Sequence, residues 1–248
     1  HLTVLTGASR GLGLAMAQQL LARGHRVLAI ARRRTDLPVP AGADLQCWTA
    51  DLADASDLSE RLETWLASQA GQAGAAPASA TLINNAGVVS QLAPLSELQP
   101  TDLANALRVG LEAPMLLSAA FLRATATWAV PRKLLMVSSG LGRRAMAGSA
   151  SYCAAKAGMD HLARALALEE AAKPNGARVV SLAPGVINTD MQGQLRTADE
   201  TLFPERARFV GLQQDGLLSS PADAAAAVLA YLDRADFGTN PVADVRDA

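Results

Sequence analysis

The sequence predicts an α/β fold in which one doubly wound parallel sheet carries helices on both faces. Short apolar runs alternate along the chain with longer amphipathic stretches, and the runs lack the polar alternation of a sheet that faces water. The chain has 248 residues, of which 50% are hydrophobic and 18% charged, a balance that supports one large core. We therefore expect residues 1–248 to form a single domain.

The predicted strands are short, apolar and bounded by turn residues. In chain order they are Leu2–Thr6, Arg26–Ile30, Leu45–Thr49, Thr81–Asn84, Lys133–Ser138 and Arg178–Ala183. Apolar residues at helical spacing predict the helices between them. These helices are Gly11–Arg23, Ala55–Ser68, Thr101–Thr127, Ser149–Ala172 and Pro221–Arg234.

Two segments depart from the regular alternation. Gln69–Ala80 is rich in Ala, Gly, Ser and Gln, and the alternation resumes beyond it, so it predicts a surface connection and not a domain boundary. The segment at about 190–216 mixes polar, apolar and Gly residues, which predicts a mobile substrate lid. Its Leu195, Leu202, Phe203 and Phe209 either line an apolar pocket or attach the segment to the body.

Charge and cysteine content exclude several classes of function. The formal net charge is −1, and basic and acidic residues are mixed along the chain, which disfavours nucleic acid and anionic membranes as partners. Cys47 and Cys153 lie far apart and have no metal-ligand or disulfide spacing, so we expect reduced thiols and no metal. No signal-like segment or membrane-length apolar run is present in the sequence, which predicts a cytoplasmic protein.

A glycine-rich turn after the first strand is the first sign of a ligand site. Glycines there let the backbone turn sharply and approach a pyrophosphate, whose charge the helix N-terminus attracts. The turn thus indicates a Rossmann-type dinucleotide site, although an isolated match is also compatible with a plain turn. Its residues are Thr6-Gly7-Ala8-Ser9-Arg10-Gly11-Leu12-Gly13.

Further short motifs follow at the ends of later strands and on the expected helix. They are Asn84-Asn85-Ala86-Gly87, Ser138-Ser139, Tyr152-Cys153-Ala154-Ala155-Lys156 and Pro184-Gly185. Together with the spacing of the glycine turn, this set resembles the short-chain dehydrogenase/reductase family over nearly the whole chain. Strand carboxyl ends are where open α/β sheets bind ligands, so the placement has a physical reason as well. The resemblance implies an NADP-dependent oxidoreductase that acts on C=O and CH–OH groups.

The resemblance makes Ser139, Tyr152 and Lys156 the catalytic residues. Positions 152 and 156 lie one helical turn apart, so an ammonium beside the phenol favours its ionised form. With the positive ring of the oxidised cofactor, Lys156 is expected to lower the phenol pKa from its ordinary value of about 10. Ser139 is expected to hydrogen-bond the substrate carbonyl oxygen while Tyr152 delivers the proton, with Ser138 as the alternative serine.

The resemblance also assigns the cofactor site and its preference. Arg32 stands where NAD-preferring relatives carry an acidic residue, and with Arg10 it is expected to clamp a 2′-phosphate, which predicts NADPH/NADP⁺. Thr189 is expected to contact the nicotinamide carboxamide or, alternatively, to cap a helix. The implied cofactor-binding residues are Gly7, Ser9, Arg10, Gly11, Leu12, Gly13, Arg32, Asp51, Leu52, Asn85, Ala86, Gly87, Tyr152, Lys156, Pro184, Gly185, Ile187 and Thr189.

One position departs from the family pattern. Gly110 stands where the family carries an Asn that holds a water on the proton path towards the lysine. Turnover is therefore expected to be slower or the relay rearranged. The departure also leaves open a second function, an NADP-binding sensor or scaffold with weakened catalysis.

Local matches narrow the substrate class. The stretches Tyr152–Lys156, Ala167–Glu170 and Thr189–Gln192 resemble the subgroup of sepiapterin- and benzil-reductase-like members, which implies reduction of a small ketone or vicinal diketone. Asp244 matches a substrate-anchoring aspartate of that subgroup, or is an exposed tail charge. The resemblance also implies a homodimer or homotetramer formed through the long helices. A sugar-nucleotide epimerase fits the glycine spacing less well.

Overall fold

A seven-stranded, fully parallel sheet forms the centre of the fold. The computed structural model describes residues 1–70 and 77–247. The strands are β1 Leu2–Thr6, β2 Arg26–Ala31, β3 Asp44–Thr49, β4 Ala80–Asn84, β5 Arg132–Val137, β6 Arg178–Ala183 and β7 Val242–Asp244. Their order across the sheet is β3-β2-β1-β4-β5-β6-β7. All six predicted strands are confirmed, whereas the short edge strand β7 was not predicted.

Helices cover both faces of this sheet. They are α1 Gly11–Ala22, α2 Ser56–Ala70, α3 Pro100–Leu107, α4 Ala113–Ala124, α5 Ala150–Ala171, α6 Asp190–Thr197, α7 Arg206–Gln214 and α8 Pro221–Asp233. One core cluster joins the sheet to α2, α4 and α5 through residues such as Leu62, Phe121 and Met159. A second joins the other face to α1 and α8 through Met16 and Val228. The predicted doubly wound, single-domain α/β fold is confirmed.

The helix predicted over Thr101–Thr127 is interrupted in its middle. Between α3 and α4 the chain forms a π-helical turn, Arg108–Glu112, that contains the buried Gly110. A Cβ at Gly110 would lie 2.9 Å from the Cβ of Ala155 on α5, so the absent side chain allows close packing there. The apolar pattern runs through both α-helices, which is why periodicity predicted a single helix.

The strand order reverses between β1 and β4, which are neighbours in the sheet. From β1 the chain moves outward to β2 and β3, and from β4 it moves the opposite way to β7. The connections after β1 and β4 therefore diverge and leave a crevice at the carboxyl edge of the sheet, where open α/β sheets bind ligands.

The segment predicted as a lid contains α6 and α7. Phe203 is fully buried and stacks on Phe209 at a centroid distance of 5.8 Å, and both pack with Met146 and Leu195. This cluster attaches the segment to the body of the domain.

The connection predicted over Gln69–Ala80 falls largely on residues 71–76, which lie outside the described residues. Across residues 1–70 and 77–247, no helix has the length and apolarity that crossing a bilayer requires.

Candidate active site

A large cavity opens at the carboxyl edge of the sheet. Its volume is about 1310 Å³. Pockets for one drug-sized ligand measure roughly 300–1,000 Å³, so this space has room for a dinucleotide and a substrate together. The structure brings every site residue predicted from the sequence to the wall of this cavity. These residues are Gly7, Ser9, Arg10, Gly11, Leu12, Gly13, Arg32, Asp51, Leu52, Asn85, Ala86, Gly87, Ser139, Tyr152, Lys156, Pro184, Gly185, Ile187, Thr189 and Asp244.

The glycine turn between β1 and α1 has the close packing that a pyrophosphate cradle needs. Gly7 has φ +70°, and a Cβ on Gly13 would lie 2.2 Å from the Gly7 carbonyl oxygen. The Thr6 hydroxyl accepts hydrogen bonds of 3.0 Å from the backbone N–H groups of Asn85 and Ala86, which ties β4 to the turn.

Within the described residues, helix α1 begins without a side-chain cap, and its first turn contains no acidic residue. Its first backbone N–H groups therefore remain available to an anion. The turn and the helix start fit the pyrophosphate of a dinucleotide.

The arginines expected at the 2′-phosphate reach the cavity from two places, Arg10 from the glycine turn and Arg32 from the end of β2. Arg32 directly follows β2, is exposed and borders the cavity. Arg10 donates to Asp190 at the start of α6 with a distance of 2.9 Å, and both side chains are more than half exposed. Exposed ion pairs contribute only about 0–1 kcal/mol, so Arg10 can exchange Asp190 for a ligand phosphate at little cost. Thr189, the N-cap residue of α6, makes no capping hydrogen bond through its side chain.

Helix α5 carries Tyr152 and Lys156 on the face that borders the cavity. The Lys156 Nζ donates to the carbonyl oxygen of Val137 at 2.7 Å and lies 5.7 Å from the centroid of the Tyr152 ring. Ser139 follows the end of β5 and accepts a 3.1 Å hydrogen bond from the backbone N–H of Leu141, which fixes the orientation of its hydroxyl. The strand end and the helix thus bring a phenol, an ammonium and a hydroxyl to one wall.

Burial dominates the ionisation of both helix residues. It raises the pKa of Tyr152 to about 12, while the hydroxyl of Ser139 opposes that rise. Burial also lowers the pKa of Lys156 to about 8, against the attraction of Asp160. In the protein's own environment the phenol pKa is therefore raised, because desolvation of the phenolate dominates, whereas the expected lowering by Lys156 also involves the positive ring of the oxidised cofactor. Tyr152 is a protonated phenol at neutral pH and is ready to donate.

Asp244 borders the substrate end of the cavity, but its carboxylate already has partners. It is 6% exposed and accepts from Arg246 at 2.8 Å on Oδ1 and 2.5 Å on Oδ2. This pairing holds the pKa of Asp244 below its ordinary value. Of the two interpretations of Asp244 from the sequence, the one that makes it an exposed charge in the tail is wrong, because the side chain is buried. A substrate cation would have to displace Arg246 to reach the carboxylate.

Several charged residues in and around the site were missed from the sequence, among them Arg143, Arg246 and Asp160. Arg143 and Arg246 border the cavity beside Asp244, and Asp160 lies buried behind Lys156. Arg143 carried no signal beyond its place four residues after Ser139. The position of Asp160, four residues after Lys156 on the same helix, was the signal that could have indicated it.

Gly110 stands where the resemblance implies an Asn, so we expect turnover to increase when an amide side chain is introduced at this position. In Gly110→Asn alone, the new Cβ meets Ala155, and such overpacking costs about 1–3 kcal/mol. We expect the double variant Gly110→Asn/Ala155→Gly to avoid this clash and to turn over faster than Ala155→Gly. The free energy of unfolding, kcat and the pH profile of kcat are the measurements. An unchanged kcat and pH profile in the folded double variant would show that the amide is irrelevant.

Comparisons with known proteins agree with this architecture. Residues 1–200 match the family model described as short chain dehydrogenase. The chain is 32% identical over 238 residues to a benzil reductase ((S)-benzoin forming) of Bacillus cereus, covering 94% of each chain. It is 31% identical over 196 residues to an NADPH-dependent pterin aldehyde reductase of Arabidopsis thaliana, covering 76% of this chain and 75% of the relative.

Among solved structures, a short-chain dehydrogenase/reductase from Burkholderia vietnamiensis superposes with a TM-score of 0.65 at 32% identity. That match covers 100% of this chain and 99% of the other. Family model, curated relatives and solved structure all extend over most of the chain. The chain belongs to the short-chain dehydrogenase family.

Proposed function

We propose that the chain is an NADPH-dependent carbonyl reductase whose substrate is a small ketone or vicinal diketone. One observation carries the proposal: Ser139, Tyr152 and Lys156 line the same cavity as the glycine turn. The similarity to a benzil reductase and to a pterin aldehyde reductase supports carbonyl reduction as the direction of the reaction. Arg32, with no acidic residue beside it, supports NADPH over NADH.

Tyr152, Ser139 and Lys156 have separate roles in the proposed carbonyl reduction. A bound nicotinamide cofactor supplies the hydride that goes to the carbonyl carbon. Tyr152, protonated at neutral pH, donates its proton to the carbonyl oxygen. The Ser139 hydroxyl donates a second hydrogen bond to that oxygen, so developing negative charge meets two donors. The Lys156 ammonium stabilises the phenolate that remains on Tyr152.

The substrate end of the cavity suits an apolar or aromatic ketone. Its walls contain the apolar side chains Leu141, Met146, Leu195, Phe209 and Leu212. Aromatic faces and aliphatic walls favour a substrate that buries phenyl or alkyl groups around a polar dicarbonyl centre. We propose that α6 and α7 close over this end as a lid.

Consumption of NADPH with benzil and with 1-phenyl-1,2-propanedione tests the function directly. Substrate-dependent loss of NADPH absorbance, faster than with NADH, is the expected result. The competing function is an NADP-binding sensor, which the Gly110 departure favours. Cofactor binding measured by calorimetry, with no turnover on any carbonyl of a broad panel, would establish the sensor and refute the reductase.

We further propose a homodimer or homotetramer built through the long helices. Leu107 of α3 is 42% exposed, Met115 of α4 47% and Leu168 of α5 76%, so each helix presents an apolar side chain that such an assembly would cover. Light scattering coupled to size-exclusion chromatography is expected to give twice or four times the chain mass, and Met115→Glu with Leu168→Glu is expected to give monomers. A monomeric unmodified protein would refute this assembly.

A further inference from the structure

A buried carboxylate lies one helical turn beyond the catalytic lysine. Tyr152, Lys156 and Asp160 are spaced by four residues on α5 and so follow one face of the helix. Lys156 is 4% exposed and Asp160 is 2% exposed. The two groups make no direct contact, but residues four apart lie on one face of a helix and a buried environment screens charge weakly, so the carboxylate attracts the ammonium across one helical turn.

The partners of Asp160 connect it to the strand end that carries Ser139. Its Oδ1 accepts from the hydroxyl of Ser138 at 2.6 Å and from the hydroxyl of Ser181 on β6 at 2.7 Å. Ser138 immediately precedes Ser139, and Val137, one residue earlier, accepts the hydrogen bond from Lys156. Through these bonds α5 holds the end of β5 at two consecutive residues.

The second carboxylate oxygen is approached by a cation from the loop after β5. Asp160 Oδ2 lies 3.3 Å from Nε of Arg143. A Cβ on Gly142 would lie 2.7 Å from the same Oδ2, so the glycine permits this close approach. Arg143 also donates to the Ala243 carbonyl oxygen at 2.8 Å, next to the Asp244–Arg246 pair.

We propose that Asp160 is a positioning residue of the active site, which keeps the Lys156 ammonium charged and holds the Ser138-Ser139 strand end against α5. Its catalytic consequence rests on the proposed carbonyl reduction, whereas its effect on Lys156 does not. Arg143 has the opposite effect on Lys156, because its guanidinium offsets part of the negative charge of Asp160.

The charged and titratable groups around Lys156 determine the direction in which each substitution is expected to shift the pKa of this lysine. Tyr152 and Asp160 face it from α5, and Arg143 approaches Asp160 from the loop after β5. Farther out, Asp244 near β7 is paired with Arg246. Burial lowers the pKa of Lys156 and Asp160 raises it, so losing the carboxylate lowers that pKa further. Losing the Arg143 cation has the opposite effect.

The chain has only three lysines, Lys133, Lys156 and Lys173, so each can be titrated individually by NMR after carbon-13 lysine labelling. We expect Lys156 to titrate near a pKa of about 8 in the unmodified protein. In Asp160→Asn, which keeps the side-chain shape, the midpoint is expected to fall by about one unit or more, the usual effect of a close opposite charge. In Arg143→Met it is expected to rise. Lys133 and Lys173 are internal references.

Ser181→Ala is the matched control, since it removes a hydrogen bond to Asp160 but leaves the carboxylate charge. Its Lys156 midpoint is expected to match that of the unmodified protein. Equal midpoints in the unmodified protein and Asp160→Asn would overturn the inference. If Asp160→Asn fails to fold, an unmoved or lowered midpoint in Arg143→Met overturns it instead.

The pH dependence of carbonyl reduction provides a second and independent test of the role of Asp160. Reduction needs charged Lys156, so the fall of kcat/KM with rising pH is expected to move to lower pH in Asp160→Asn, alongside the NMR midpoint. Lysine midpoints that move in a protein without reductase activity would support the inference and refute the proposed function. Reductase activity with an unmoved Lys156 midpoint in Asp160→Asn would do the reverse.

Discussion

Replacing Tyr152 with phenylalanine is expected to lower kcat for carbonyl reduction by about 10²–10⁴-fold, the usual contribution of a positioned general acid. The ring and its packing on α5 remain, and only the proton donor is lost. The variant loses one expected cofactor contact but keeps the glycine turn and Arg32, so its affinity for NADPH is expected to fall far less than kcat. Steady-state kinetics and calorimetric NADPH binding measure the two effects separately.

The chain offers a matched control in its other tyrosine. Tyr231 lies on α8 and packs edge-on against Phe237 at a centroid distance of 6.2 Å, and it is absent from the cavity wall. Tyr231→Phe is expected to keep the kcat of the unmodified protein. A Tyr152→Phe variant that binds NADPH and retains more than a tenth of the original kcat would contradict Tyr152 as the proton donor.

Replacing Arg32 with aspartate is expected to abolish the preference for NADPH. A charge-assisted hydrogen bond contributes about 1.5–3 kcal/mol, and reversing the charge adds repulsion of the 2′-phosphate. The ratio of kcat/KM for NADPH to that for NADH is therefore expected to fall by about 10²-fold or more. An aspartate can accept from the ribose 2′-hydroxyl, so KM for NADH is expected to decrease.

Arg34→Asp makes the same charge change two residues along the chain. Arg34 is exposed and lies outside the cavity wall, whereas Arg32 and Arg33 border it. The control is therefore expected to lower the preference only slightly, through long-range charge. Equal use of NADPH and NADH by the unmodified protein, or equal effects of the two substitutions, would contradict the role of Arg32.

The sheet was predictable from the sequence because each central strand is an apolar run bounded by turn residues. Strand β7 lacked that signal, since Val242–Asp244 has only three residues and pairs with β6 alone. The π-helical turn at Arg108–Glu112 was also unpredictable, because one wider turn leaves the apolar periodicity of its flanking helices intact.

The predicted site residues meet in one cavity because their motifs follow strand ends or lie on α5, and parallel strands end at the same edge. The burial of these charges was beyond the sequence. The spacing of four residues between Lys156 and Asp160 is visible in the sequence, but a carboxylate on a helix is usually solvated, and only the structure shows that this one is buried. The pairing of Asp244 with Arg246 depends on a 3₁₀ turn after β7, which no spacing pattern indicated.

Transfer of a deuterium label from NADPH to the product shows whether the chain catalyses carbonyl reduction. NADPH that carries deuterium at the transferable nicotinamide position would be incubated with benzil, and the product analysed by mass spectrometry and NMR. We expect one deuterium on the new carbinol carbon with the unmodified protein, and product formation that is strongly reduced in Tyr152→Phe. An unlabelled product would contradict hydride transfer from NADPH, and labelled product formed equally fast without the Tyr152 hydroxyl would contradict Tyr152 as the proton donor.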